Sequence, residues 1–172
     1  MTLPPIWRKA ALTAHVTASV GWLGAVAAFL ALAAAGLAGG DTDRARGLYL
    51  ATQVLTWWVI VPLAFASLLT GVVQALGTPW GLLRHYWVVA KLALTVLATG
   101  FLLLHTAPVG HLADVSARGA ALDGSLDGLR VQLLVDAGAA LVVLLVVTVL
   151  SVFQPRGLTP YGRRATTRRR RG

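Results

Sequence analysis

Hydrophobic residues along this 172-residue chain are gathered into four long stretches, at residues 10-38, 50-76, 82-107 and 129-153. Each stretch exceeds the ~20 residues that a helix needs to cross a hydrocarbon core of ~30 Å. Polar residues concentrate between the stretches and after the last one. The pattern predicts an all-α fold: a polytopic four-helix transmembrane bundle formed by residues 1-155.

Composition agrees with a membrane protein and narrows its chemistry. Hydrophobic residues make up 57% of the chain and charged residues 12%, whereas about 25% of an ordinary soluble domain is charged. Cysteine is absent and the one methionine is Met1, which excludes disulfides, haem thioether links and iron–sulfur clusters and removes the soft sulfur ligands of Cu(I). Any metal must therefore be bound by imidazole, carboxylate or amine groups.

Basic residues predict the topology. Arg8 and Lys9 precede the first span, Arg84 lies between the second and third, and seven of the fifteen basic residues lie in residues 156-172. The positive-inside rule then places both termini in the cytoplasm of a multi-pass protein of the cell inner (plasma) membrane. We expect the tail at 156-172 to be disordered and to attract anionic lipids of the bilayer rather than nucleic acid.

Polar side chains within the spans form stripes, and in the fourth span Gln132 and Asp136 line up at i, i+4. In the third span, Arg84, Lys91 and His105 lie within about 40° of one direction, and His15 belongs to a similar stripe on the first span. Polar groups left unpaired in hydrocarbon are costly, so the stripes are predicted to meet inside the bundle. At about 1.5 Å per residue, His15 and Lys91 fall at one depth and His105 lies ~21 Å further outward.

Two candidate sites result from this layering. The inner site is predicted to bind a cofactor through five residues: His15, Ser19, Trp22, Arg84 and Lys91. The outer site offers a metal ion such as copper(II) the ligands His105 and Asp136, joined by His111 from the outer loop. His15 is also a candidate metal ligand, but its depth separates it from His105.

Each of these residues also has a purely structural interpretation. His15 could hydrogen-bond to serine or to a backbone carbonyl, and Lys91 could extend its long stem to the headgroups. His105 and Asp136 could form an ion pair that joins the third and fourth spans. The sequence leaves these alternatives open.

Three stretches carry a resemblance to a known group: "WRKAALTAHVTASVGWLGAVAAFLAL", "VIVPLAFASLLTGVVQAL" and "YWVVAKLALTVLATGFLLLH". They resemble the first three helices of the CopD/HemJ-like superfamily of small four-helix bacterial membrane proteins. His15 matches the first-helix histidine, Lys91 the third-helix lysine and His105 the distal histidine. The resemblance implies a bundle that holds b-type haem, with protoporphyrinogen oxidase activity in HemJ-type members and copper handling in CopD-type members.

The residues and the resemblance together favour a protein that binds b-type haem or a related tetrapyrrole at His15 and Lys91 for redox chemistry. Imidazole is a haem ligand, the apolar bundle supplies a slot, and Arg84, Lys9 or Lys91 is placed at the inner end to receive the anionic propionates. Such a protein would be an oxidoreductase working with a redox partner or as a homo-oligomer. The alternatives are a copper-type binding or transport protein and a structural subunit without cofactor, whose Gly/Ala seam contacts a partner.

Overall fold

The computed structural model describes residues 4–38, 42–77, 82–119, 124–155, 157, 159 and 160. Five α-helices account for nearly all of them: α1 (Pro5–Ala38), α2 (Thr42–Leu55), α3 (Val61–Gly77), α4 (Tyr86–Ala117) and α5 (Asp127–Phe153). A π turn, Thr56–Ile60, joins α2 to α3, and a 3₁₀ turn, Gly124–Leu126, precedes α5. The predicted all-α fold class is confirmed for the described part of the chain.

Four helices in the described residues are long and apolar enough to cross a membrane: Pro5–Ala38, Thr42–Gly77, Tyr86–Ala117 and Gly124–Phe153. They alternate in direction, so one end of the bundle holds Pro5 and Phe153 and is called here the terminal end. The other end, which holds Ala38 and Ala117, is called the loop end. The four predicted spans are thus present, with different bounds.

The third span shows the largest difference in bounds. It begins at Tyr86 and passes through Pro108 to Ala117, whereas the sequence predicts an end at residue 107. The proline removes one N–H donor without ending the helix, as is common in helices that are supported by neighbours. His111 consequently lies on α4, and the expectation that it belongs to a loop is wrong.

The π turn interrupts the second span just before a proline. The N–H of Val61 donates to the carbonyl of Thr56, five residues back instead of four. Pro62 follows, has no N–H, and would crowd the carbonyl four residues before it in a regular helix. The wider turn absorbs this irregularity, and its two buried residues, Thr56 and Ile60, face the bundle interior.

Helix α1 lies at the centre of the packing and contacts α2, α3 and α5. Trp22, Val26 and Phe29 supply much of the buried core, against Leu133 of α5. Not every polar position points inward, because Gln132, one turn before Asp136, is exposed. The predicted stripe on the fourth span therefore reduces to Asp136 at this level.

The predicted tail, residues 156-172, falls within the described residues at Gly157, Thr159 and Pro160, and the remainder lies outside them. The N–H of Tyr86 donates to the carbonyl of Gly157 at 3.3 Å, and the buried Thr159 hydroxyl donates to the carbonyl of Leu83 at 2.6 Å. The start of α4 has free N–H groups that need acceptors. The Gly157 carbonyl supplies one of these acceptors, a pairing that composition alone did not predict.

Near the loop end, one buried arginine connects three helices. Arg130 of α5 donates from Nε to the Tyr49 hydroxyl at 2.9 Å and from Nη2 to the Gly36 carbonyl at 2.7 Å, and Nη1 pairs with Asp127 at 2.9 Å. Tyr49 is fully buried, and a Cβ on Gly36 would lie 2.9 Å from its ring. A buried guanidinium is tolerated because each of its nitrogens has an acceptor.

We predict that Tyr49→Phe lowers the free energy of unfolding by about 1–3 kcal/mol, because the buried Nε–H of Arg130 loses its acceptor. Tyr86→Phe is the matched control, since Tyr86 is exposed on the same scaffold. Thermal unfolding of both variants in detergent provides the measurement. Equal midpoints for the two variants would show that the Arg130–Tyr49 hydrogen bond does not stabilise the bundle.

Candidate functional site

The imidazole of His15 is held in one orientation by α3. Its Nδ1 lies 3.1 Å from the carbonyl oxygen of Ser67 and 3.2 Å from the hydroxyl of Thr70. The Thr70 hydroxyl donates to the carbonyl of Ala66, so its oxygen is available as an acceptor. Both contacts require a proton on Nδ1, which leaves the lone pair of the neutral ring on Nε2.

Lys91 of α4 faces that free nitrogen. Its Nζ lies 3.3 Å from Nε2 of His15, and the side chain is partly buried. The amine donates to the ring nitrogen because Nε2 carries the lone pair. The two residues, 76 positions apart in the chain, thus meet at one depth, as the helical rise predicted.

Space for the His15 ring comes from small neighbours. A Cβ on Gly71 would lie 3.1 Å from Cε1 of His15, closer than ordinary side-chain contacts. On the adjacent turn of α1, Ser19 shares a hydrogen bond of 2.8 Å with the buried Ser67 hydroxyl. Helix α3 therefore fixes His15 through a backbone carbonyl and a hydroxyl, and Ser19 ties the same Ser67 to α1.

His15 and Lys91 line an open cleft of about 570 Å³ among α1, α3, α4 and α5. This volume lies within the range of small-molecule and cofactor sites, about 300–1,000 Å³. Its walls are mainly apolar, with the basic residue Arg8 and the aromatic residues Trp22 and Trp87 among them. By volume and lining, the cleft is suited to a hydrophobic small molecule.

Four of the five residues predicted for the inner site line this cleft: His15, Ser19, Trp22 and Lys91. Arg84 does not line it, since Arg84 precedes α4 and its carbonyl accepts from Thr159. Arg8, near the start of α1, is a basic residue that does line the cleft. The orienting groups Ser67 and Gly71 were not among the predicted site residues, although Ser67 stands on the polar face of its helix.

A second polar layer lies farther along α4. Nε2 of His105 is 2.9 Å from Oδ2 of Asp136 on α5, and Nδ1 of His105 is 2.8 Å from the carbonyl oxygen of Phe101. The predicted pairing of His105 with Asp136 is confirmed. His111 is exposed, and the described residues contain no group of three or more His, Cys, Asp or Glu side chains arranged to hold a metal.

Comparison with family models, with curated proteins and with solved structures gives no match for this chain.

We predict opposite effects of two glycine substitutions on stability. Gly24→Ala meets no atom within 4 Å and gains up to about 1 kcal/mol of helix propensity. Gly71→Ala makes the same gain but displaces the His15 ring, at a cost of about 1–3 kcal/mol typical of overpacking. Thermal unfolding in detergent should rank Gly71→Ala below Gly24→Ala, and the reverse order would mean that the imidazole moves aside freely.

Proposed function

We propose that the protein binds b-type haem, or a related tetrapyrrole, in the cleft beside His15 and uses it for redox chemistry. The observation that carries this proposal is the orientation of His15, whose Nδ1–H is held by Ser67 while Nε2 contacts the Lys91 amine, and both residues line a large, mainly apolar cleft. Holding one ring nitrogen by a backbone carbonyl is the usual way in which proteins orient a histidine for metal ligation through the other. When bound, haem supplies one-electron redox chemistry.

The separation of His15 and Lys91 favours ligation by one of the two residues alone. Two nitrogens on opposite sides of one metal ion, each at the ~2.0–2.1 Å typical of metal–imidazole bonds, are about 4 Å apart. Nε2 and Nζ are 3.3 Å apart, so the pair as it stands does not bracket an iron. His15 would hold the iron better than Lys91, because Ser67 fixes its ring, whereas the lysine stem is flexible.

Lys91 then has a different role. Haem propionates are anionic, and an ammonium released from Nε2 has room to reach them within the cleft. Arg8 lines the same cleft and offers a second cation. The indoles of Trp22 and Trp87 exclude water from the apolar walls. Lys91 donates to the Nε2 lone pair, which would otherwise be unsatisfied in hydrocarbon.

The first test is haem binding by the purified protein in detergent. Wild-type protein supplemented with haem should show a Soret band, and His15→Ala should lose it or shift it as the axial ligand is lost. His111→Ala is the matched control because His111 is exposed on α4. Absence of a Soret band in wild-type protein, or an identical band in His15→Ala, would refute the proposal.

A second test separates ligation from charge pairing. Lys91→Met should keep the spectrum of a His15-ligated haem but weaken binding about tenfold or more, since one charge-assisted hydrogen bond contributes about 1.5–3 kcal/mol. Titration of haem into wild-type and Lys91→Met proteins gives both readouts. A changed axial-ligand spectrum in Lys91→Met would instead identify the amine as a ligand.

The copper-type alternative at His105, Asp136 and His111 has weaker support, because His111 does not join the pair in the described residues. A structural subunit would need its small-residue seam exposed, and Gly24 does face outward while Gly21 packs against Leu63. The oriented imidazole favours cofactor binding over both alternatives. An enzyme of protoporphyrinogen-oxidase-like type remains the form of redox protein that the sequence resemblance suggests.

A further inference from the structure

The cleft beside His15 is not walled equally on all sides. Its lining residues on α3 and α4 are all buried or half-buried. The exposed lining residues belong to α1 and to the end of α5, and they include Leu12, Val16, Val20 and Val152. The cleft therefore opens to the outside between α1 and α5.

The packing of α1 against α5 is concentrated near the loop end. There Arg130 donates to the Gly36 carbonyl at 2.7 Å, and Phe29 belongs to the same buried core as Leu133. Toward the terminal end, the last buried residue of α5 is Leu144, although the helix, all of which is described, continues to Phe153. The side of the cleft between these two helices is thus left open beyond Leu144.

Hydrogen bonds tie the helices together on other sides of the cleft. The hydroxyls of Ser19 and Ser67 share a hydrogen bond of 2.8 Å between α1 and α3. The N–H of Thr159, in the segment after α5, donates at 3.0 Å to the carbonyl of Arg84, just before α4. These bonds hold α1 to α3 and the end of α5 to the start of α4, so they leave the opening between α1 and α5 as it is.

The opening lies at the depth of hydrocarbon. Val20 stands near the middle of α1, a helix of 34 residues, and is 61% exposed. Val16 and Leu12 follow at successive turns toward the terminal end, and Val152 lies on the α5 side. All four side chains are aliphatic. In a span long enough to cross the bilayer, an aliphatic opening at this depth faces acyl chains rather than water.

The side chains inside the cleft indicate the kind of ligand that the opening admits. Two basic residues, Arg8 and Lys91, line the cleft, and no carboxylate of the described residues does so. Apolar walls with basic groups complement a hydrophobic molecule that carries acidic groups. A tetrapyrrole with propionates has this chemistry, and its macrocycle is soluble in a bilayer.

We propose that the cleft receives its tetrapyrrole from the bilayer through the opening between α1 and α5, called here the portal and bounded by Val16, Val20 and Val152. The inference rests on the proposed function for the identity of the ligand and adds the phase from which the ligand comes. The macrocycle passes the aliphatic side chains, and the propionates meet Arg8 toward the terminal end. The reaction that supplies this ligand must then deliver it to the membrane.

The chain contains no cysteine, so single-cysteine variants provide a test. Val16→Cys and Val20→Cys are modified in lipid nanodiscs with a bulky methanethiosulfonate reagent, whose adduct is held by a disulfide that a reductant removes. Leu97→Cys is the matched control, because Leu97 is an aliphatic residue of α4 that is 69% exposed and does not line the cleft. Haem is then added in excess, and the growth of the Soret band is followed in time.

Adducts on Val16→Cys and Val20→Cys should slow the growth of the band about tenfold or more, because the ligand must wait for the adduct to move aside. Reduction before haem is added should restore the unmodified rate, and the adduct on Leu97→Cys should leave the rate unchanged. Protein that is loaded with haem before modification should keep its band. Loss of that band would mean that the adduct displaces the ligand from its site, which would overturn the portal.

The outcomes separate this inference from the proposed function. Without a Soret band in the unmodified protein, the proposed function fails and the inference fails with it. A band that grows equally fast with and without the adducts on Val16→Cys and Val20→Cys refutes the portal but leaves haem binding intact. Slowing by an adduct on Gln154→Cys alone would place the entrance at the terminal end of the cleft and would also overturn the proposal.

Discussion

Hydrocarbon offers no hydrogen bonds, and this one constraint determines where the polar side chains of the bundle lie. Threonine and serine hydroxyls satisfy it locally, by donating to carbonyls one turn back, as Thr95 does to Lys91 and Thr99 does to Thr95. Imidazoles, amines and guanidinium groups are only partly satisfied within one turn, as His105 is by the carbonyl of Phe101. They need partners on other helices, and every polar cluster described here joins at least two helices.

The consequence is a bundle organised in layers. Near the loop end, Arg130 brings together a carbonyl of α1 and a hydroxyl of α2, which stabilises the ends of three helices. The His105–Asp136 pair joins α4 to α5, and His15 with Lys91 joins α1 to α4. The His105–Asp136 layer and the His15–Lys91 layer both join helices, and the residues of each layer also line a cavity.

Sequence reasoning predicted those features that depend on one helix at a time. The number of spans follows from hydrophobic length, and the common depth of His15 and Lys91 follows from the fixed rise of a helix. Depth along the membrane also placed His105 near Asp136. Gln132 was misplaced because a residue four positions away is offset by about 40°, enough to leave a narrow contact face near a helix end.

The sequence could not predict which backbone atoms of another helix accept hydrogen bonds from these side chains. The acceptors of His15 and Arg130 include carbonyls of Ser67 and Gly36, and any residue type supplies a carbonyl. The π turn, which aims Thr56 inward, has only Pro62 as a signal. Arg84 was predicted from its direction around one helix axis, which does not give the tilt between helices, and Arg8 lines the cleft instead.

One side chain, Trp22, lines both the His15 cleft and the His105 cavity, together with Leu144. Its indole is almost fully buried and forms a shared wall. The space beside His15 and the space beside His105 are therefore bounded by the same indole ring. A change in the rotamer of Trp22 would alter both spaces at once and would be needed to connect them through this wall.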